Sequence, residues 1–356
     1  MDNLSIFQNE LNDYPIIQAI DIFCGIGGLT YGIQASGINV IAGLDNDITC
    51  KYSFESNNNS KFIHSDITQC DFSALKMLFN KDTPSILIGC APCQPFSSHS
   101  FKRIDREKDD RWSLIDKFAD AISVILPDAI SMENVPGLAK TQVFEKFVKR
   151  IEDFGYVINY KVLYCPDYGI PQRRSRLVLF ASKLGKIGIP PPTHTKKEYV
   201  TVRDAIGKLP VLRAGSTSKI DHLHRAMNLS EINKARIKAS KPNGTWRDWD
   251  KELLPECYKK ESGNSYTAVY GRMAWDDVSP TITTQFYNYG SGRFGHPSQS
   301  RALSIREGSL LQTFPADYEF DTDLSFVVLG RQIGNAVPPM LGRIIGEALK
   351  EHIYAR

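Results

Sequence analysis

The sequence has few cysteines, no long apolar run and little net charge. Its seven cysteines are an odd number scattered over 356 residues, which excludes a disulfide framework and fits a reducing cytoplasm. No window approaches about 18 consecutive apolar residues, so no membrane partner is expected, and the N-terminus lacks the basic-then-apolar pattern of a signal peptide. The composition, 42% hydrophobic and 23% charged, is typical of a globular protein with two or three domains.

The small net charge of +3 is unevenly distributed. Residues 196–300 contain 17 lysines and arginines against 11 aspartates and glutamates, a surplus of six positive charges. The rest of the chain therefore carries a net charge of −3. A basic segment on a slightly acidic body favours a polyanion bound on one side, although a solvated surface accounts for the charge equally well.

The first 180 residues alternate apolar, β-rich runs with segments of helical periodicity. The predicted strands are 16–23, 39–44, 61–63, 85–90, 129–133, 157–163 and 177–181. The predicted helices between them are 29–36, 48–57, 114–126 and 143–154. This alternation predicts an α/β fold, a doubly wound and mostly parallel sheet with helices on both faces. Ligands of such sheets bind beyond the carboxyl ends of the strands.

A proline-rich run, Ile189-Pro-Pro-Pro-Thr-His194, interrupts this pattern and reads as a linker. Residues 196–300 show no clear alternation, and helical periodicity returns only at 303–314 and 340–353. We therefore predict one α/β domain over residues 1–184 and 318–356. A smaller irregular domain, residues 185–317, is inserted near the C-terminus.

The turn after the first predicted strand, Asp21-Ile-Phe-Cys-Gly25-Ile-Gly27-Gly28, is rich in glycine. Glycines there let the backbone approach a ligand and present the N–H groups of a helix to it. The spacing is neither the dinucleotide fingerprint nor a phosphate-cradling loop, which disfavours a nicotinamide or ATP enzyme. A turn of this kind alone is weak support for a site.

Two acids accompany the turn. Asp45 ends the second strand, where a carboxylate can hold ribose hydroxyls, and Asp66 follows the third, where it can accept from an adenine amino group. Each acid taken alone is slightly better explained as a helix cap. Together with the turn, they predict a site for a cofactor that contains adenosine but no pyrophosphate.

The fourth predicted strand leads into Pro92-Cys93-Gln94-Pro95. A cysteine between prolines at a strand's carboxyl end is a candidate nucleophile when its surroundings stabilise the thiolate. Cys90 and Cys93 also form a Cys-x-x-Cys, which raises redox and zinc interpretations. Both rank lower, because no second pair at metal spacing follows, and no metal is expected.

Charged groups follow at the next strand ends. Glu133 closes the fifth predicted strand, where it can act as a general acid or hydrogen-bond partner, or simply cap the next helix. Arg174 and Arg176 precede the last predicted strand and point to the same face of an extended chain. One or both guanidinium groups can then reach the ligand edge, unless they only make a basic edge strand.

These motifs, taken in order, resemble those of the DNA (cytosine-5) methyltransferases, the bacterial modification enzymes and their eukaryotic relatives. The resemblance covers residues 16–184 and 301–350. It rests on Asp21–Gly28, Pro92-Cys93-Gln94, Glu133-Asn134-Val135, Gln172-x-Arg174-x-Arg176, Arg301 to Pro315 and Gly334-Asn335-Ala336-Val337-Pro338-Pro339.

The resemblance implies the Rossmann-like methyltransferase fold, with S-adenosylmethionine as the cofactor and S-adenosyl-L-homocysteine as its product. It implies that Phe23 lies against the adenine, that Leu114 lines the pocket and that Asn335 lies near the methionine part. The full set of implied cofactor-binding residues is Asp21, Phe23, Gly25, Gly27, Gly28, Asp45, Asn46, Asp66, Ile67, Pro92, Leu114, Asn335 and Ala336.

The implied catalytic residues are Cys93, Glu133, Arg174 and Arg176. By resemblance, Cys93 adds to carbon 6 of cytosine and makes carbon 5 nucleophilic. Glu133 engages ring nitrogen 3 and the amino group. Arg176, and with less support Arg174, contacts the base and organises the thiol.

The implied substrate is double-stranded DNA, whose target cytosine must be flipped out of the stack. Residues 97–111 resemble the family's catalytic loop, and 185–317 occupy the place of its target-recognition domain. The expected DNA contacts are Gln94, Ser97, Ser98, Arg111, Arg247 and Arg293.

The implied role is modification in a restriction–modification system, alongside a separately acting endonuclease, or an orphan methyltransferase. The expected protein is a monomer in the bacterial cytoplasm or nucleoid. The alternatives are a tRNA cytosine-5 methyltransferase on the same fold, a non-catalytic DNA-binding paralogue and, last, a Rossmann oxidoreductase.

Overall fold

The computed structural model describes residues 15–92, 113–260 and 268–355, which belong to two compact units. The first unit comprises Met1–Val162, Arg176–Pro191 and Gly342–Arg356. The second unit comprises Leu163–Ser175 and Pro192–Leu341. Within the described ranges, no helix has both the length and the apolar character needed to cross a bilayer.

A seven-stranded sheet forms the centre of the first unit, in the order β3-β2-β1-β4-β5-β8-β6. Each neighbouring pair from β3 to β5 is parallel, and β8 runs antiparallel to β5. The predicted mostly parallel sheet is confirmed. Its strands are β1 Gln18–Ile22, β2 Asn39–Asp45, β3 Lys61–His64, β4 Ser85–Gly89, β5 Ala129–Asn134, β6 Val157–Tyr164 and β8 Ser175–Ser182.

The central strands are buried because both of their faces are covered. All five residues of β1 and all six of β5 are buried, as expected of strands packed on both sides. The first strand begins later than predicted, since Ile16 is exposed, and ends earlier, since Phe23 turns away at φ 67°. The strand ends that carry the candidate residues are therefore fixed by a buried sheet.

The helices of the first unit lie at or close to the predicted segments, with two exceptions. The helix Phe72–Lys76 lies in no predicted segment. The predicted helix 48–57 divides into a 3-10 turn over Ile48–Cys50 and α2, because Asp47 caps the turn. The helices are α1 Gly28–Ala35, α2 Lys51–Asn57, α3 Phe72–Lys76, α4 Ser113–Ile125, α5 Gln142–Asp153 and α10 Pro339–Tyr354, whose first residues belong to the second unit.

The second unit has short elements joined by irregular chain. Its strands β7 Gln172–Arg173 and β9 Ser279–Pro280 form a two-stranded parallel sheet. Its helices are α6 Val202–Ile206, α7 Glu231–Ala239, α8 Ile305–Leu311 and α9 Phe326–Asn335.

The bounds of the second unit differ from those of the predicted inserted domain, which ends at residue 317. The unit continues to Leu341 and also takes in Leu163–Ser175. The cause is a set of long-range hydrogen bonds, among them those of Gln172 to the main chain of Leu311 and Ile282. Such partners are distant in sequence and leave no local pattern.

Candidate active site

The glycine-rich turn leaves β1 through three residues of positive φ: Phe23 at 67°, Gly25 at 51° and Gly27 at 86°. Glycine adopts this left-handed region freely, whereas a phenylalanine there is strained. The N–H groups of Phe23 and Cys24 both donate to the Leu44 carbonyl, at 2.8 and 3.1 Å. The turn is thus fastened to the end of β2 before α1 begins.

Asp45 ties the loop after β2 to the same turn. Its Oδ2 accepts from the Gly25 N–H at 2.8 Å, and its Oδ1 accepts from the Asp47 N–H at 2.9 Å. Burial raises the pKa of the Asp45 carboxyl above its ordinary value. No described atom lies within 4 Å of the place where a Cβ on Gly25 would stand. Open space therefore adjoins the half-buried carboxyl group of Asp45 at this edge.

Asp21 lies beneath the turn and is fully buried. Its Oδ2 accepts from the Thr30 hydroxyl at 2.7 Å, whereas its Oδ1 has no hydrogen-bond partner among the described residues. Burial, helped by the charge of Asp45, raises the pKa of Asp21 to about 8. An unsatisfied buried oxygen costs free energy, which a polar ligand group can recover. This part of the turn therefore fits a polar ligand.

The third strand end carries Asp66, an exposed residue that caps a 3-10 turn. Its Oδ1 accepts from both the N–H and the hydroxyl of Thr68, at 2.8 and 2.9 Å. Ile67 is buried in the sheet core, Leu114 packs against that core, and Asn46 is exposed. The cap interpretation of Asp66 is thus correct, and its adenine role stays a prediction.

Glu133, at the end of β5, is held from two sides. Arg176 Nε lies 2.7 Å from its Oε1, and the Cys90 thiol donates to its Oε2 at 2.8 Å. The parallel register places Gly89 opposite Met132, so Cys90 follows β4 beside Glu133. Glu133 is only 2% exposed. The strand ends thus present a buried carboxylate with a fixed orientation.

Asn134 holds the chain that leads to the predicted nucleophile. Its Nδ2 donates to the Ala91 carbonyl at 3.1 Å, while its Oδ1 accepts from the Val135 N–H at 2.9 Å. Pro92 is half-buried and ends the described segment. The next predicted residues, Cys93, Gln94, Ser97, Ser98 and Arg111, lie outside the described residues, so their roles stay predictions.

Arg174 belongs to the second unit and contacts main-chain carbonyls. Its guanidinium donates to Ile282 O at 3.2 Å and to Ala336 O at 3.3 Å. The side chain is 2% exposed. Its predicted contact with the base stays a prediction, whereas Arg176 directly engages Glu133.

Two glutamines stabilise the end of α9. Gln172 Nε2 donates to Gln312 Oε1 at 2.5 Å, and Gln312 Nε2 donates to the Ile333 carbonyl at 2.6 Å. Both glutamines are fully buried. They hold the backbone just before Asn335, which is exposed. In the sequence, both glutamines lie inside the motifs that carry the family resemblance, but neither is predicted to have a role of its own.

Comparison with known families decides the assignment. The sequence profile of the C-5 cytosine-specific DNA methylases matches residues 17–351. The chain belongs to this family. The predictions of a DNA (cytosine-5) methyltransferase and of its family are confirmed. The family uses S-adenosylmethionine and acts on DNA. The predicted cofactor and the predicted DNA substrate are therefore confirmed at the level of the family.

Two relatives illustrate the family's range. The chain is 50% identical to the type II methylase M.HgiDII of Herpetosiphon aurantiacus over 339 residues, covering 94% of this chain and 95% of the relative. It is 32% identical to the type II methyltransferase M1.HphI of Haemophilus parahaemolyticus, covering 93% and 86%. The likeness spans both units of the methylase.

Solved structures show the same fold. A putative DNA modification methyltransferase encoded within an E. coli prophage superposes with a TM-score of 0.73 at 22% identity, covering 95% of this chain and 99% of that one. The Dnmt2 methyltransferase of S. pombe gives a TM-score of 0.61 at 16% identity, covering 94% and 99%. The predicted Rossmann-like methyltransferase fold is confirmed.

The methylase's two predicted base-reading arginines lie in the second unit. Arg247 is exposed, and its guanidinium lies over the Trp246 ring at 5.6 Å. Arg293 is half-buried, and its Nε has no hydrogen-bond partner among the described residues. Their DNA contacts stay predictions. Among the described residues, no group of three or more His, Cys, Asp or Glu side chains could hold a metal ion.

Proposed function

We propose that this methylase transfers the methyl group of S-adenosylmethionine to carbon 5 of a flipped-out cytosine in a specific duplex DNA sequence. The observation that carries the proposal is Glu133, buried at the end of β5 and held by Arg176, next to the segment that leads to Cys93. This is the arrangement required if the carboxyl group is to meet a cytosine ring attacked by a neighbouring thiol.

The cofactor-binding residues proposed in the first unit are those of the glycine-rich turn and the next two strand ends. Asp45 would hold the ribose, Asp66 the adenine amino group, and Phe23 would lie against the adenine. The unsatisfied Oδ1 of Asp21 and the open space at Gly25 support a polar ligand there. When bound, S-adenosylmethionine supplies an electrophilic methyl group on a sulfonium.

The remaining cofactor contacts are proposed from the family resemblance. Asn335 and Ala336 would contact the methionine part of the cofactor. The set of proposed cofactor contacts is completed by Gly27, Gly28, Asn46, Ile67, Pro92 and Leu114. Their positions at strand and helix ends support this proposal.

Cys93 is proposed as the nucleophile. Its thiolate would form a bond to carbon 6, and the ring electron pair would move to carbon 5, which would take the methyl group as the bond between that methyl group and the sulfonium sulfur breaks. A base then removes the carbon-5 proton, the double bond re-forms and the bond from carbon 6 to sulfur breaks. Glu133 stabilises the shift of charge at ring nitrogen 3 and the amino group.

Arg176 has two proposed tasks in this step. Its ion pair keeps Glu133 in place in a buried site, where a lone carboxylate would be costly. A guanidinium at the same edge also supplies donors toward the base. Arg174 would also contact the base.

DNA recognition is proposed for residues 185–317. The lysine and arginine surplus of 196–300 supplies sequence-independent phosphate binding. Arg247 and Arg293 are side chains of the type that read guanine edges. Gln94, Ser97, Ser98 and Arg111 would complete the contacts around the flipped base.

The proposed biological role is DNA modification, as the names of the type II relatives suggest. The enzyme would act as a monomer in the bacterial cytoplasm or nucleoid, with a separate endonuclease as the companion enzyme. The finding of unmodified DNA in cells that express the active enzyme would contradict this role.

The test is a covalent trap. Bisulfite sequencing of DNA from cells that express the chain first identifies the target cytosine. A duplex with 5-fluorocytosine at that position, incubated with S-adenosylmethionine, should then give a denaturation-resistant complex of one enzyme per site, because fluorine cannot leave as a cation. Mass spectrometry should place the link on Cys93.

Cys93→Ala and a reaction without cofactor are the controls, and neither should form the complex. Failure of the wild-type enzyme to form any adduct would overturn the proposal in favour of a binding protein. Trapping of fluorinated tRNA with no reaction on the duplex would instead indicate an RNA substrate.

A further inference from the structure

Cys90 contacts the carboxylate at the centre of the proposed site. Its thiol donates to Glu133 Oε2 at 2.8 Å, and its N–H donates to the Ile22 carbonyl at 3.3 Å. The backbone of Cys90 is thus fixed to β1 while its side chain points to β5. The sequence alone indicates nothing more for Cys90 than its place in a Cys-x-x-Cys pattern with Cys93.

We infer that Cys90 is a positioning residue for Glu133 in methyl transfer. This inference rests on the proposed function, in which Glu133 engages the cytosine ring. Cys90 has no proposed contact with the base or the cofactor. Its effect passes through the orientation of one carboxyl group.

The physical reason is the freedom of a glutamate's terminal torsion. Rotation about the bond to the carboxyl carbon is broad, so a single contact leaves the two oxygens free to turn. Arg176 Nε forms an ion pair with Oε1. A second donor on Oε2 defines the carboxylate plane, and loss of a fraction of an ångström in placement weakens catalysis.

The contact also differs from that of a packing cysteine. Cys50 is buried at the end of the 3-10 turn that follows β2, and its thiol lies near that of Cys24. The Cys90 thiol instead lies against the buried carboxylate of Glu133. Removal of the Cys90 sulfur therefore leaves Glu133 Oε2 without this donor.

The experiment compares Cys90→Ala, Cys90→Ser and the matched control Cys50→Ala with the wild type. Cys90→Ala should lower kcat roughly tenfold, the size expected for a lost hydrogen bond to a charged group. KM for S-adenosylmethionine and for duplex DNA should stay unchanged. Cys90→Ser keeps a donor and should recover most of kcat.

The rate of adduct formation with the 5-fluorocytosine duplex is the second readout. It should fall in Cys90→Ala by the same factor as kcat, while the final amount of adduct stays at one per site. Cys50→Ala should match the wild type in kcat and in adduct rate. Urea unfolding of all variants separates a loss of stability from a loss of positioning.

Two outcomes overturn the inference: wild-type kcat in Cys90→Ala, or a kcat in Cys90→Ser as low as in Cys90→Ala. In both cases the wild type still forms its adduct on Cys93, so the proposed function survives. Absence of an adduct from the wild type itself would overturn the proposed function instead.

Discussion

At the scale of single residues, buried ionisable side chains influence the stability of both units. In the first unit, Asp21 is an acid whose burial is incompletely compensated. In the second unit, Arg301 and Glu307 are both fully buried and form two hydrogen bonds, at 2.7 and 2.6 Å. These three residues give measurable consequences for stability.

The first prediction concerns Asp21 and pH. Its pKa in the folded protein, about 8, lies above the ordinary value of 3.8, so the folded state retains a proton that the unfolded state loses. The free energy of unfolding should therefore fall as pH rises between those two values. Asp21→Asn cannot ionise and should gain stability relative to the wild type over the same window.

Urea unfolding of both proteins at pH 5, 6, 7 and 8 measures this difference. A difference between Asp21→Asn and wild type that stays constant with pH would show that Asp21 is already ionised in the folded protein over this range, as an aspartate of ordinary pKa would be.

The second prediction concerns Asp66. Asp66→Ala should lower the affinity for S-adenosylmethionine by roughly one to two decades, since a charge-assisted hydrogen bond is worth about 1.5–3 kcal/mol. The target sequence should stay the same. Calorimetric titration measures the affinity.

Asp71→Ala is the matched control for that experiment. Asp71 also caps a helix, accepting from the N–H groups of Ser73 and Ala74, and it has no predicted role at the cofactor. Equal affinities for Asp66→Ala and wild type would reduce Asp66 to a cap.

At the scale of elements, the close packing of helices determines their positions in the first unit. Within the first unit, α10 packs on α1 at glycines. A Cβ on Gly342 would stand 2.8 Å from the Leu29 carbonyl oxygen and 3.2 Å from the Gly32 Cα. The obstacle is backbone, which cannot turn aside.

The third prediction follows from this contact. Gly342→Ala should reduce the free energy of unfolding by about 1–3 kcal/mol, because overpacking outweighs the roughly 1 kcal/mol gain in helix propensity. Urea unfolding measures the change. Gly188→Ala, where no described atom lies within 4 Å of an added Cβ, should stay within about 0.5 kcal/mol of the wild type. Stabilisation by Gly342→Ala would mean that the two helices can separate at no cost.

The start of α8 in the second unit depends on a buried ion pair. Glu307 closes a capping box with Ser304 and pairs with Arg301. Although burial opposes ionisation, the hydrogen bonds and charge of Arg301 hold the pKa of Glu307 below its ordinary value. In the sequence, these residues are recognisable only as part of the motif from Arg301 to Pro315.

The fourth prediction removes one partner of that pair. Glu307→Ala should destabilise the protein by about 3–5 kcal/mol, because Arg301 is left buried without its counter-ion. Glu347→Ala, which breaks an exposed ion pair with Arg343 in α10, should change stability by less than about 1 kcal/mol. Similar losses for the two variants in urea unfolding would contradict the buried-pair argument.

At the scale of the whole molecule, chemistry and DNA reading are proposed for different segments. The segment 196–300 carries an internal anchor: buried Arg272 donates to the carbonyls of Ser240 and His296, both in the same segment. These hydrogen bonds join parts of the same segment and stabilise its local structure. Glu133 and Arg176 lie outside it.

The fifth prediction is that exchange of 196–300 for the corresponding segment of a relative with another target moves the methylated sequence. The reacting groups stay, whereas the base-reading side chains change. Bisulfite sequencing of DNA from cells that express the chimera reads the outcome. An active chimera that kept the original target would refute the recognition assignment.

Local periodicity in the sequence was enough to predict most of the sheet and its helices. The predicted strand 39–44 is observed as Asn39–Asp45, and the predicted helix 143–154 as Gln142–Asp153. Motif residues at strand ends also followed from sequence, since parallel strands end at one edge of a sheet. Those features depend on neighbours within a few positions.

The tertiary structure alone decided the partners of the buried polar groups. Gln172 pairs with Gln312 across 140 positions, and Cys90 meets Glu133 across 43. The helix predicted over 303–314 is shorter in the structure, ending at Leu311, and Thr313 follows with φ 66°. Propensity and periodicity act between neighbours in the chain, whereas a buried donor finds its acceptor only when folding brings distant segments together, and no local pattern records that choice.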